Sequence, residues 1–255
     1  MKKVILCADD YGQSESISFG ILDLIQKGRL SATSCMATTP LWPELAARLK
    51  ESPRRVQTGL HFNLTEGAHG MPLRALIKTA FRGKLDKDII KDVFFKQVDL
   101  FKDHMGRAPD FIDGHQHIQH LPTVREAMVE CIREMTWEKM PWVRVSSNGL
   151  FKAASIKELV IHLIGASKLI KLLDQSSIPY NSSFQGIYDF HKADHFPEYM
   201  TTFLLKSQEG GLIMCHPGLD PATDDPIAHA RLVEYTYLAS PAFGNQLVDL
   251  EVDLC

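Results

Sequence analysis

Short apolar segments alternate with longer amphipathic segments along most of this 255-residue chain. The apolar segments predict β-strands at residues 4–8, 32–37, 56–63, 111–113, 142–145 and 212–215. Apolar residues at helical spacing between them predict helices, including residues 87–104 and 226–239. This regular alternation is typical of an α/β domain with a parallel sheet or barrel. We find no internal repeat or linker, and we expect residues 1–255 to form a single domain.

Two segments depart from this pattern. Residues 155–173 are apolar on most faces, which predicts a helix packed in the interior or against a second subunit in a homodimer. Residues 176–195 are irregular and aromatic, as in a binding loop, and contain Tyr180, Phe184, Tyr188 and Phe190. These rings could stack on a bound ligand, but packing is the commoner role for aromatic residues in a loop.

The composition narrows the class of protein. The chain has 28 basic and 31 acidic residues, a net charge of −3, without a long run of either sign. It therefore carries no electrostatic signature of a nucleic-acid-binding or membrane-surface protein. Five dispersed cysteines indicate reduced thiols, and the apolar run at residues 4–8 is too short for a signal peptide or a membrane span. We expect a cytoplasmic protein.

Polar residues of the kinds used in catalysis stand where several predicted strands end. They are Asp9, Asp10, His61, the segment Asp113-Gly114-His115, Arg144 and His216. In parallel α/β barrels the carboxyl ends of the strands meet on one face, where active sites form. The sequence therefore predicts that these side chains converge on one site.

Their chemistry indicates a mononuclear metal hydrolase. One carboxylate and two imidazoles can hold a divalent cation and leave positions open for water and substrate. Zinc, iron, nickel and cobalt accept such ligands, whereas magnesium prefers oxygen-rich sites. A free carboxylate can act as a base towards the bound water, and a further histidine can protonate the leaving group. Asp9, Asp10, His61, His115 and His216 would together supply all five groups.

Each of these signals also has an ordinary structural explanation. Either aspartate could cap the following helix, and a single histidine at the end of a strand is more often a hydrogen-bonded structural residue. The histidines at positions 115, 117 and 120 could form a zinc-type cluster of their own.

Four segments are similar to one known family. In chain order they are Leu6-Cys7-Ala8-Asp9-Asp10-Tyr11-Gly12, Gly59-Leu60-His61-Phe62-Asn63-Leu64-Thr65-Glu66-Gly67, Phe111-Ile112-Asp113-Gly114-His115-Gln116-His117 and Met214-Cys215-His216-Pro217-Gly218. The chain resembles the YdjC-like carbohydrate deacetylases, which include chito-oligosaccharide deacetylases and deacetylases of hopanoid biosynthesis. Tyr11 stands where phenylalanine is commonest and Gly114 where serine is frequent. These changes bear on the substrate more than on the mechanism.

The resemblance implies a distorted (β/α) barrel of the glycoside hydrolase/deacetylase type and metal-dependent removal of an acetyl group from an N-acetylated sugar. It also implies that Asp10, His61 and His115 are the metal ligands, Asp9 the base and His216 the general acid. Ligand chemistry favours one Zn²⁺ ion, and Mg²⁺ or another divalent ion is an alternative.

Two further residues complete the predicted site. We expect Arg144 to contact the substrate, and His117 to lie at the rim, where it can also do so. The expected partner is an acetylated sugar, oligosaccharide or glycolipid. A metal-dependent phosphoesterase, another C–N hydrolase on the same barrel and a sugar-binding protein without activity are the alternatives.

Overall fold

The computed structural model describes residues 1–67, 70–147, 165–220 and 224–255. The strands in these ranges are β1 (Lys2–Tyr11), β2 (Ala32–Cys35), β3 (Gln57–Phe62), β4 (Phe111–Gly114), β5 (Trp142–Val143), β6 (Phe184–Gln185), β7 (Gly211–Cys215) and β8 (Val252–Leu254). The helices are α1 (Glu15–Gln26), α2 (Trp42–Glu51), α3 (Leu73–Phe81), α4 (Lys87–Met105), α5 (Val124–Glu134), α6 (Ser167–Gln175), α7 (Phe196–Lys206), α8 (Ala228–Ala239) and α9 (Pro241–Asp249).

The strands form one parallel sheet in the order β5-β4-β3-β2-β1-β7-β6, and β8 also pairs with β1. The sheet curls until its two edges approach each other. Val143 of β5 pairs in parallel with Tyr180, and its N–H donates to the Pro179 carbonyl at 2.8 Å. The chain then continues into β6 at the opposite edge of the sheet. The predicted distorted (β/α) barrel is confirmed.

Alternation along β1 separates two apolar layers. Ile5 and Cys7 belong to a small cluster with residues of β4, β6 and β7, which fills the inner side of the curled sheet. Val4, Leu6 and Ala8 belong to the main core between the sheet and the helices. Since successive side chains of a strand point to opposite faces, Asp9 continues the inner row above Cys7.

The helices follow the apolar spacing of the sequence. The long helix predicted at residues 87–104 is confirmed as α4, which buries Ile90, Phe94, Val98 and Phe101. The Asp86 side chain accepts hydrogen bonds at its start, and Gly106 ends it in a left-handed conformation. None of the helices in the described residues has the length and apolar character needed to cross a membrane.

Some elements differ from the sequence-based expectations. Helices α3, α7 and α9 and strand β8 were not predicted, and β6 lies in the segment expected to be irregular. Residues 155–164 of the predicted apolar helix lie outside the described residues. Helix α6 covers the rest and buries Leu169 and Leu173 on one face. The homodimer stays a prediction.

Candidate active site

A break in the regular pairing of β1 brings both aspartates to the same pocket. Alternation alone would point Asp9 and Asp10 to opposite faces. The register between β1 and β2 shifts between Ala8 and Tyr11, and Asp10 has a φ of 70°. Aspartate is among the non-glycine residues that tolerate this left-handed conformation. The shift turns Asp10 inward, next to Asp9.

Asp10, His61 and His115 form a compact group of potential metal ligands. Oδ1 of Asp10 lies 3.3 Å from Nε2 of His61 and 3.1 Å from Nδ1 of His115. The two ring nitrogens are 3.2 Å apart. Ligands that each lie about 2.0–2.2 Å from one zinc ion are separated by distances of this order. All three side chains are buried, so their geometry and chemistry fit a single divalent cation.

Neighbouring charges shift the pKa values of two members of this group in opposite directions. Burial disfavours the charged form of His61, but the nearby Asp113 and Asp9 outweigh it and raise the pKa of this ring to about 10. Burial likewise opposes ionisation of Asp10. The Arg231 guanidinium and hydrogen bonds from His115 and His61 prevail and hold the pKa of Asp10 well below its ordinary value.

Asp113 fixes the orientation of His61. Its Oδ1 lies 2.6 Å from His61 Nδ1 and accepts a hydrogen bond of 2.5 Å from the Ser34 hydroxyl. A carboxylate on Nδ1 keeps a proton there, so Nε2, which faces Asp10, is the nitrogen that would bind a metal ion. Ser34 lies within β2, where its spacing gives no sequence signal for this role.

Arg144 lies beneath the site and connects the carboxylates of Asp9 and Asp113. The guanidinium donates to both oxygens of Asp9, at 2.7 and 2.8 Å, and its Nη2 is also 2.7 Å from Oδ2 of Asp113. The Arg144 side chain is fully buried. The sequence suggested a contact between Arg144 and the substrate, but in the structure this residue bonds to protein carboxylates.

His216 faces Asp9 across the pocket. Its Nε2 lies 3.9 Å from Asp9 Oδ2, and its ring packs edge-on against Phe190, with centroids 5.3 Å apart. Burial lowers the pKa of His216 to about 4. The ring is therefore neutral near pH 7 in this environment.

Helix α8 adds two residues that were missed in the sequence analysis. Arg231 donates to Asp10 Oδ2 at 2.7 Å and to Asp225 Oδ2 at 2.5 Å. Glu234 accepts hydrogen bonds from the His216 backbone N–H, at 2.5 Å, and from the Tyr188 hydroxyl, at 2.6 Å. Burial raises the pKa of Glu234 to about 7. Two charged residues three positions apart inside an apolar helical pattern are a signal that could have identified them.

The other histidines of the mid-chain motif lie apart from the ligand group. The backbone is left-handed at Gln116 and His117, with φ of 56° and 62°. His117 is half-buried near the Phe184 ring, and burial lowers its pKa well below its ordinary value. His120 is buried and accepts a hydrogen bond of 3.2 Å from the Ser146 N–H. Neither belongs to a potential metal-binding group among the described residues.

Most aromatic side chains of residues 176–195 pack against other parts of the protein. Phe184 lies in the inner apolar cluster, and Tyr188 is buried against Glu234. Tyr180 is about one-third exposed and bonds to Asp174. Of the four rings, Phe190 is the one in contact with a candidate catalytic side chain, His216.

Comparison with known proteins gives a consistent assignment. The model of a family described as YdjC-like protein matches residues 3–249. A carbohydrate deacetylase of Homo sapiens is 30% identical, with 99% of this chain and 89% of that protein covered. A chitooligosaccharide deacetylase of Serratia marcescens is 27% identical, with coverage of 97% and 95%.

One solved structure supports the fold. It is a protein of Enterococcus faecalis V583 named for cellobiose-phosphate cleavage, with a TM-score of 0.73 and 18% identity. The match covers 100% of this chain and 97% of that one. At this identity the likeness concerns the fold alone.

Proposed function

The chain belongs to the YdjC-like protein family, and from this premise we propose that it is a metal-dependent carbohydrate N-deacetylase. It removes an acetyl group from an N-acetylated sugar, as the names of its relatives suggest. One observation carries the proposal: a carboxylate that is not in the ligand group, Asp9, stands between that group and a histidine, His216. Binding of a sugar alone does not require such an arrangement.

In this proposal Asp10, His61 and His115 hold one divalent cation, Zn²⁺ by ligand chemistry, with Mg²⁺ as an alternative. When bound, the cation lowers the pKa of water and polarises the amide carbonyl of the substrate. Asp9 is not one of these three ligands, so its carboxylate can take part in proton transfer. Arg144, bonded to both oxygens of Asp9, keeps this carboxylate in place, and we assign Arg144 to positioning.

The proton path follows from the positions of Asp9 and His216. Asp9 takes a proton from the attacking water as the carbon–oxygen bond forms. The ring of His216 is neutral at rest and 3.9 Å from Asp9, so it can receive this proton and give it to the departing amine. The carbon–nitrogen bond breaks, and acetate and the free amino sugar leave. His117, half-buried beside the site, is proposed to contact the substrate.

The alternative of a phosphoesterase has less support. Phosphate recognition calls for cationic side chains that face the ligand. Among the described residues, the two arginines at the site, Arg144 and Arg231, are both bonded to protein carboxylates.

We also propose that residues 1–255 form a single domain and that the protein is located in the cytoplasm. β8, near the carboxyl end, pairs with the start of β1. The five cysteines are all unpaired, which suits a reducing compartment.

The test is acetate release from chitooligosaccharides by the metal-loaded and the chelator-treated protein. We expect activity to disappear on chelation and to return with added Zn²⁺ or Mg²⁺. Asp10→Asn should lose most of the metal, while Asp99→Asn on α4, outside the site, should retain it. Undiminished acetate release from metal-free protein would overturn metal dependence, and no release from any acetylated sugar would overturn the activity.

A further inference from the structure

Helix α8 buries two charged residues towards the site. Arg231 is 4% exposed and Glu234 is 0% exposed. Residues three positions apart lie on the same face of a helix, so both side chains point the same way. Fully buried arginine and glutamate are rare unless they are paired with specific partners. Arg231 reaches Asp10, whereas Glu234 reaches the loop that carries His216.

This loop docks on α8 at two points. The His216 N–H donates to Glu234 Oε2 at 2.5 Å, and the Gly218 N–H donates to the Arg231 carbonyl at 3.1 Å. A Cβ atom at Gly218 would lie 3.3 Å from Arg231 side-chain atoms, so the backbone of the loop lies directly against the helix. The position of His216 is therefore tied to α8.

Tyr188 connects Glu234 to the ring of His216. Its hydroxyl donates to Glu234 Oε1 at 2.6 Å. Its own ring packs edge-on against Phe190, with centroids 5.0 Å apart, and Phe190 packs edge-on against His216. Glu234 thus holds the backbone of His216 directly and supports its ring through two aromatic neighbours.

The ring of His216 needs such support. A catalytic histidine is usually oriented by an acceptor on its second nitrogen. In the described part of the chain, His216 Nδ1 is buried and has no hydrogen-bond partner. The hydrogen bond from the His216 N–H to Glu234 is called the anchor below. The orientation of Nε2 towards Asp9 then depends on this anchor and on the packing of Phe190 against the ring.

We propose that Glu234, together with Tyr188, is a positioning residue that holds His216 in place for proton transfer. The inference rests on the proposed function, because it takes His216 as the proton donor. Both oxygens of Glu234 act as acceptors, and the ionised carboxylate is the form in which neither oxygen carries a proton. The experiments are therefore done at pH 8, above the pKa of about 7.

The first experiment detects the hydrogen bond between the His216 N–H and Glu234 by NMR and does not depend on enzyme activity. Cys215-His216 is the only Cys-His pair in the sequence. Labelling cysteine with ¹³C at the carbonyl and histidine with ¹⁵N therefore gives a single amide signal in a carbonyl-selective NMR spectrum. A short hydrogen bond to a carboxylate shifts this proton downfield. We expect Glu234→Gln to move it upfield. Glu209→Gln, which alters a surface glutamate that accepts the Lys3 N–H, should leave it unchanged.

The second experiment connects the anchor to catalysis. Glu234→Gln should lower kcat about 10- to 100-fold, the cost of a small misplacement, with KM and metal content unchanged. Tyr188→Phe should lower kcat less, because Glu234 still accepts the His216 N–H. Tyr235→Phe is the matched control: on the same helix, its hydroxyl donates to the Asp23 carboxylate at 2.8 Å, and kcat should not change.

Each result has a definite meaning. An unmoved His216 signal in Glu234→Gln would overturn the anchor, and a moved signal with wild-type kcat would overturn its role in catalysis. If Glu234→Gln fails to fold, Tyr188→Phe decides the matter, since a kcat equal to that of Tyr235→Phe would overturn the proposal. If the wild-type protein releases no acetate, the proposed function fails, and the amide signal still decides whether Glu234 holds His216.

Discussion

Asp10 shows how much of the site depends on the backbone of one residue. Its φ of 70° interrupts the alternation of β1 and lets two neighbouring carboxylates enter one pocket. They then have different partners: Asp9 bonds to Arg144, and Asp10 to His61, His115 and Arg231. The sequence shows the pair of acids at the end of a strand. It does not show which of them faces the ligand histidines, because that depends on the bulge.

At the same scale, Asp9→Asn tests the proposed base. Asparagine has the same shape but cannot accept a proton, so we expect a loss of about 10²–10⁴-fold in kcat. Metal content should remain that of the wild type, because Asp9 is not in the group formed by Asp10, His61 and His115. Acetate release and elemental analysis of the same preparation give both values. Turnover close to wild type with metal bound would remove Asp9 from the mechanism.

Glu234 should leave a signature in the pH dependence of stability. Its pKa is raised from 4.5 to about 7 in the folded protein, so the folded state holds this proton more tightly than the unfolded chain does. The contribution to stability is therefore full below about pH 4.5 and is lost as the pH rises to about 7. Its size is of the order of 3 kcal/mol.

The measurement is urea unfolding of the wild type and Glu234→Gln, both in chelator, at pH 5 and pH 8. Relative to the variant, the wild type should be less stable at pH 8 than at pH 5. A difference between the two proteins that does not change with pH would contradict the raised pKa of Glu234.

At the scale of elements, strand β3 shows why a glycine precedes the ligand histidine by two positions. A Cβ atom at Gly59 would overlap the ring of Phe111 on the neighbouring strand β4. That ring is fully buried and stacks on Trp142, with centroids 4.4 Å apart. Gly59→Ala should therefore destabilise the protein by about 1–3 kcal/mol, as overpacking does, measured by urea unfolding. Unchanged stability would mean that Phe111 can shift.

The elements also show what the sequence can predict. Strands β1, β4 and β7 and helix α4 have continuous apolar runs or clear helical spacing, and they were predicted close to their observed positions. Helix α7 was missed because it follows a segment rich in aromatic and polar residues without a distinct boundary. The charged residues of α8 were missed for a different reason. Arg231 and Glu234 interrupt an apolar helical pattern, but the sequence does not show which side chains they contact.

At the scale of the whole molecule, the barrel brings together residues that are distant in the chain. Asp10 and Arg231 are separated by 221 positions, and Asp9 and Arg144 by 135. The rule that strand ends meet on one face predicted which candidates would converge. It could not predict the buried ion pairs among them, because these depend on the depth and tilt of each strand.

Because the ligand group joins different strands, metal binding should stabilise the whole fold. Asp10 belongs to β1, His61 to β3, and His115 directly follows β4. A ligand that binds only the folded state stabilises it by about 2.7 kcal/mol at a hundred times its Kd. For a chain of this size, that corresponds to an increase of about 5–10 °C in Tm.

We therefore expect Tm to fall by this amount on chelation and to recover with Zn²⁺ in a thermal unfolding experiment. His61→Ala should show no response to metal, because one of the three ligands is gone. The control is His229→Ala, which removes an exposed histidine that is not in the ligand group. This variant should respond to metal like the wild type. A wild-type Tm that does not change when elemental analysis confirms removal of the metal would show that the cation does not link these strands.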